Sequence, residues 1–75
     1  MSLVPAATRA LRLLRFLATR PGPVSAAAIA AELGVPRSSV YQLLEAMAEE
    51  GFVTHVAEER RWGLGVAAID RKSVV

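Results

Sequence analysis

Between Leu33 and Arg37 the chain has only Gly34, Val35 and Pro36 in which to stop one helix and start another. Upstream, AAAIAAEL sets Ile29 and Leu33 at i and i+4 among alanines, the composition of a short helix that can approach its neighbours closely. Gly34 suits the left-handed position that ends such a helix, and Pro36 has no amide hydrogen to lose at the opening of the next. Downstream, Val40, Leu43, Leu44 and Met47 fall at i, i+3, i+4 and i+7, which predicts a helix over residues 37–50 with one buried stripe. Two helices joined by about three residues form a helix-turn-helix, and few architectures accept that unit.

The flanks narrow the choice. Ala10, Leu13, Leu14 and Leu17 mark the buried stripe of an earlier helix over residues 8–19, which Pro21-Gly22-Pro23 forbids to continue. Arg9, Arg12 and Arg15 recur every three residues on its other side. Ser25 stands where its hydroxyl can cap the second helix. After Gly51, residues 52–56 and 61–64 read as two short strands around Ala57-Glu58-Glu59-Arg60, a loop length suited to a hairpin. Trp62 is expected to cover the core from its strand and His55 to lie on the surface. The expected fold is mainly α with a small β-hairpin: a three-helix winged helix-turn-helix. Residues 1–7 are expected to form a flexible arm, 8–65 the domain, and 66–75 the start of a linker helix or a truncated tail.

The exposed side of the helix at 37–50 carries the chemistry. A helix that enters the DNA major groove needs short polar side chains and a forked donor in its first turns. Arg37, Ser38, Ser39 and Gln42 meet that need. Arg37 could clamp a phosphate or place its guanidinium on guanine O6 and N7, and Gln42 could present its amide to adenine N6 and N7. Ser38 and Ser39 could donate to phosphates or cap the free amides of their own first turn. Tyr41 borders the buried and open faces, within reach of a phosphate or a thymine methyl. Glu45, Glu49 and Glu50 would repel phosphates, so only the front half of this helix is expected in the groove. Arg60 and Arg61 of the hairpin are candidates for the neighbouring minor groove, opposed by Glu58 and Glu59 at its tip.

Other functions find little support. The absence of cysteine and a single histidine, His55, leave no zinc constellation, and no nucleophile has a placed base, so neither metal, cofactor nor enzymatic activity is expected. Apolar stretches are broken well before a membrane span, and no basic segment followed by an apolar block opens the chain; a cytoplasmic protein is expected. The net charge of +2 is too small to argue for nucleic acid by itself, so the case rests on where the charges sit. Leu11 and Phe16 lie off the first helix's main stripe and are candidates for a dimer seam. A winged-helix protein-interaction module that touches no DNA is the competing reading, favoured somewhat by the six glutamates.

Arg9-Ala10-Leu11 with Leu13-Leu14, Val24-Ser25, the run from Leu33 through Val40 (LGVPRSSV), Leu43-Leu44, Gly51-Phe52-Val53 and Trp62-Gly63-Leu64-Gly65 together resemble the IclR-type transcriptional regulators. The likeness spans residues 8–65. It implies a winged helix-turn-helix that binds operator DNA as dimers or tetramers, with a small-molecule effector sensed by a larger domain that is absent from this chain. It also implies that Ser25, Arg37, Ser38, Ser39 and Tyr41 contact DNA and that the first helix takes part in pairing. Two positions depart from the family pattern. Ala28 stands where a glutamate often completes the cap of the second helix, and Gln42 where an arginine is frequent.

Overall fold

The computed structural model describes residues 4–69 and contains α1 (Pro5–Ala18), α2 (Ala26–Leu33), α3 (Arg37–Glu49), β1 (Val53–Val56), β2 (Arg61–Leu64) and a single turn of helix, α4 (Val66–Ile69). The expected three helices and hairpin are present in the expected order. Expectations for residues 1–3 and 70–75 lie outside the described residues.

α1 starts at Pro5, three residues ahead of the predicted Thr8, so part of the expected arm is helical. Proline at the first helical position has its φ pre-set and no amide to orphan, which outweighs the capping tendency of Thr8. At the other end the Thr19 hydroxyl donates to the Phe16 carbonyl at 2.8 Å. α2 behaves as its sequence predicts. The Ser25 hydroxyl accepts from the Ala28 amide at 3.1 Å, and Gly34, at φ 70°, donates back to the Ala30 carbonyl at 2.8 Å.

α3 ends one residue before the predicted Glu50, and β1 starts one residue after the predicted Phe52. Both differences have one cause. The amides of Gly51 and Phe52 donate to the carbonyls of Ala48 and Met47, at 3.0 and 2.9 Å, which forms a Schellman closure with Gly51 at φ 82°. The Phe52 amide is therefore spent on the helix end, and only its carbonyl, which accepts from Gly65 at 2.9 Å, continues the line of the ladder.

Leu13, Ile29, Val40 and Leu44 are fully buried where the three helices meet, and Leu17, Leu33, Met47, Val53 and Trp62 close around them. Burying each of the large aliphatic side chains is worth about 1.5–3 kcal/mol, which holds a chain this short together. In the hairpin, Val53 pairs with Leu64, Thr54 with Gly63, His55 with Trp62 and Val56 with Arg61. Between Val56 and β2 the chain makes a 3-10 turn, Ala57–Glu59, and Arg60 takes a left-handed conformation at φ 54°.

Val24 adds a third rung beside β2. Its amide donates to the Trp62 carbonyl at 2.9 Å and its carbonyl accepts from the Trp62 amide at 2.7 Å. Because the backbone groups of Trp62 turn toward Val24, its pair with His55 is the closer, non-hydrogen-bonded kind. The two rings stack accordingly, centroids 4.2 Å apart and 20° between planes. His55 is exposed and Trp62 buried, as expected from their positions.

Candidate nucleic-acid interface

α3 divides cleanly by its period. Val40, Leu44 and Met47 are buried with Leu43 half-buried beside them, while Arg37, Ser38, Tyr41, Gln42, Glu45 and Glu49 are exposed on the far side. Tyr41 keeps 48% of its surface, large for an aromatic residue on a helix packed into a core. The turn before α3 sets the front half forward: Pro36 occupies the N-cap in an extended conformation, and no side chain caps the helix. The amides of Ser39 and Val40 donate to the Pro36 carbonyl at 3.1 and 3.2 Å. Those of Arg37 and Ser38, one and two residues into the helix, make no hydrogen bond among the described residues. Ser38 and Ser39 thus do not cap their own first turn, which was one of their two sequence-based alternatives. The positive end of the α3 dipole is left open beside the Arg37 guanidinium, an arrangement that attracts an anion.

The other expected positions fall into separate groups. Ser25 is half-buried at the start of α2, and its oxygen is already used as an acceptor by the Ala28 amide. A hydroxyl that accepts one bond still has its proton to donate. Arg60 and Arg61 are both exposed on the hairpin. Leu11 and Phe16 do not form a common patch: five positions apart on α1, they stand roughly 140° apart around the helix. Leu11 is 63% exposed, whereas Phe16 packs on the core and carries the Arg20 guanidinium 5.6 Å above its ring.

One cation was not singled out from the sequence. Ala6 and Arg9 of α1 line a groove together with Ser39, Gln42, Leu43 and Ala46 of α3, so the Arg9 side chain lies beside the polar middle of the exposed helix. Its neighbour Arg12 has a different task, donating to the Glu32 carbonyl at 3.4 Å near the negative end of α2. Spacing alone treats Arg9, Arg12 and Arg15 as equals. Only the crossing of α1 over α3 separates them.

The electrostatics run along α3 from front to back. Arg37 and the open amides make the front positive, and Glu45, Glu49 and Glu50 make the rear negative. The front of α3 therefore favours an anion and the rear disfavours one.

Residues 6–57 match the family described as the IclR helix-turn-helix domain. The transcriptional repressor IclR of Escherichia coli is 37% identical over 65 residues, an alignment covering 87% of this chain and 24% of that protein. The crystal structure of an IclR transcriptional regulator from Alicyclobacillus acidocaldarius superposes with a TM-score of 0.82 at 30% identity, over 91% of this chain and 28% of that one. A Zalpha domain of cyprinid herpesvirus 3, solved for its binding to Z-DNA, superposes with a TM-score of 0.70 at 33% identity, over 77% of this chain and 93% of that one. The chain thus spans about a quarter of the length of the bacterial relatives it matches.

Proposed function

Since this chain belongs to the IclR helix-turn-helix family, we propose that it is the DNA-reading module of a transcriptional regulator and lays the front half of α3 in the major groove. The observation that carries this reading is the geometry at the start of α3: uncapped amides, Arg37, Ser38, Tyr41 and Gln42 in the open, and an acidic rear that limits insertion to the first turns. Gln42 reads a base edge by its paired donor and acceptor, and Arg37 either clamps a phosphate or reads guanine. Ser38, Ser39 and Tyr41 hold the backbone alongside. Ser25 donates its free hydroxyl proton to a phosphate at the start of α2. Arg9 reaches a phosphate of the DNA backbone from the groove beside Ser39 and Gln42. Arg60 and Arg61 reach the flank by way of the hairpin, with the Glu58-Glu59 tip held off the phosphates.

The partner is double-stranded operator DNA, a palindrome read by two copies whose half-sites lie about one helical turn apart. Pairing through α1, with Leu11 the more available of its two off-stripe residues, belongs to the longer regulator. So does a small-molecule effector, sensed outside the stretch that carries the helix-turn-helix. The reading domain takes in the whole of α1, from Pro5, and runs to Gly65. The setting is the cytoplasm, where such DNA lies; among the described residues no helix is long and apolar enough to cross a membrane. The relatives are transcriptional regulators, and their match does not favour a protein-interaction module without DNA.

Selection of bound duplexes from a random pool tests this reading. The chain is expected to enrich one half-site, and Gln42→Ala to relax a single position within it. A single copy is expected to hold unselected DNA with a Kd of roughly 10⁻⁴ to 10⁻⁶ M at physiological salt and to weaken steeply as salt rises. No enrichment, together with binding indifferent to salt, would overturn the proposal.

A further inference from the structure

Away from α3, two arginines line one cleft. The loop after α1 curls over the hairpin face that carries Thr54, Val56 and Gly63. Where it does so, Arg20, Pro21, Gly22, Pro23, Val24 and Arg61 line a common depression. Arg20 and Arg61 are far apart in sequence, exposed, and unpaired with any carboxylate among the described residues. No acidic residue lines the cleft.

The walls are held in place. Pro21 and Pro23 fix their own φ angles on either side of Gly22, and the Arg20 amide donates to the Leu17 carbonyl at 3.2 Å, tying the loop's base to the end of α1. The Arg20 guanidinium rests above the Phe16 ring, 5.6 Å from its centroid, a position that restricts an otherwise free side chain. Arg61 is anchored by its pairing with Val56 in the ladder. Val24 is hydrogen-bonded in both directions to Trp62. It also immediately precedes Ser25, the cap of α2. The wall of the cleft thus runs by one residue into the start of α2, whose positive end favours an anion on the same side of the chain.

We propose that Arg20 and Arg61 together grip one phosphate of the DNA backbone outside the stretch read by α3, with Phe16 as the residue that positions Arg20. The proposal rests on the DNA-reading function above. Guanidinium forks match phosphate oxygens, and two of them on one phosphate offset the repulsion of the nearby Glu58-Glu59 tip. The grip lengthens the footprint without adding sequence information, since a phosphate is the same at every base.

The test is a salt titration of the 75-residue chain on a short random-sequence duplex, comparing the parent with Arg20→Ala, Arg61→Ala, the double variant and, in parallel, Arg37→Ala. One neutralised phosphate contributes about 0.9 to the slope of log K against log salt. The double variant is expected to lose about that much in total, and Arg37→Ala to lose a similar amount independently. If Arg37→Ala lowers the slope and the double variant does not, the grip is wrong and the reading by α3 stands, as it would if this cleft served a protein partner instead. If neither changes the slope, the reading itself fails and takes the grip with it. A loss near twice 0.9 in the double variant means two separate phosphates and overturns the shared contact. Phe16→Leu, which keeps an apolar filler under the loop, is expected to weaken binding in the parent and to have no effect in the Arg20→Ala background; equal losses in both backgrounds overturn its positioning role.

Discussion

α2 and α3 are neighbours joined by a three-residue turn, yet they turn different chemistry to the outside. α2 opens with Ser25, whose hydroxyl satisfies the Ala28 amide, and its body is alanine, isoleucine and leucine turned toward the core. α3 opens with Pro36, has no side-chain cap, and sets serine, tyrosine and glutamine outward. Each leaves its first two amides open and satisfies the third, α2 through the Ser25 hydroxyl and α3 through the Pro36 carbonyl, so the contrast lies in the side chains each turns outward. A helix-turn-helix needs both kinds, one packed into the core as support and one presented outward.

Five substitutions at four positions test that contrast. The largest effect is expected from Ile29→Ala in α2: emptying a fully buried site costs about 2–5 kcal/mol of folding stability, measured by urea denaturation. A cost below about 1 kcal/mol would mean that α2 is not the support described. Gln42→Ala in α3 should do the reverse, losing about 1–3 kcal/mol of discrimination at one base pair in competition binding while the urea midpoint hardly moves.

Ser25 lies on the boundary between the two roles. Ser25→Ala is expected to cost about 1 kcal/mol of stability, whereas Ser25→Asp keeps a capping oxygen and should hold the thermal midpoint while weakening DNA binding by repelling the phosphate. Equal DNA affinity for Ser25→Asp and the parent would confine this residue to its structural task. The smallest effect is expected from Ser38→Asp. A carboxylate near the open start of α3 should gain about 0.3–1 kcal/mol of stability and lose DNA affinity, and a change of the same sign in both measurements would contradict the division of labour.

What could be read from the sequence was whatever local chemistry decides. Gly34 and Pro36 mark the turn, Ser25 the cap, and the stripe from Val40 to Met47 the buried face, because each depends on residues within one or two turns. The errors came where two local rules compete. Pro5 opens α1 ahead of Thr8, and the Schellman closure at Gly51 withdraws Phe52 from its strand. Ser38 and Ser39 resemble caps by type, but Pro36 already occupies that place. Tertiary placement was hidden altogether. Nothing in the spacing of Arg9, Arg12 and Arg15 tells which of them crosses α3, and nothing near Val24 announces its ladder with Trp62. The cleft shared by Arg20 and Arg61 requires a loop and a hairpin to meet, and the chain between them contains both other helices.

The closure at Gly51 has a mechanical side. Its carbonyl accepts from the Ala67 amide at 2.9 Å, the Phe52 carbonyl accepts from Gly65 at 2.9 Å, and a side chain at Gly65 would run into the Gly51 carbonyl oxygen. The rear of α3 and the path of the chain after β2 are therefore riveted at one joint rather than hung from separate hinges. A torque applied to the backbone after Gly65 is delivered to the heel of α3, and the long arm of that lever is the helix whose far end carries Arg37.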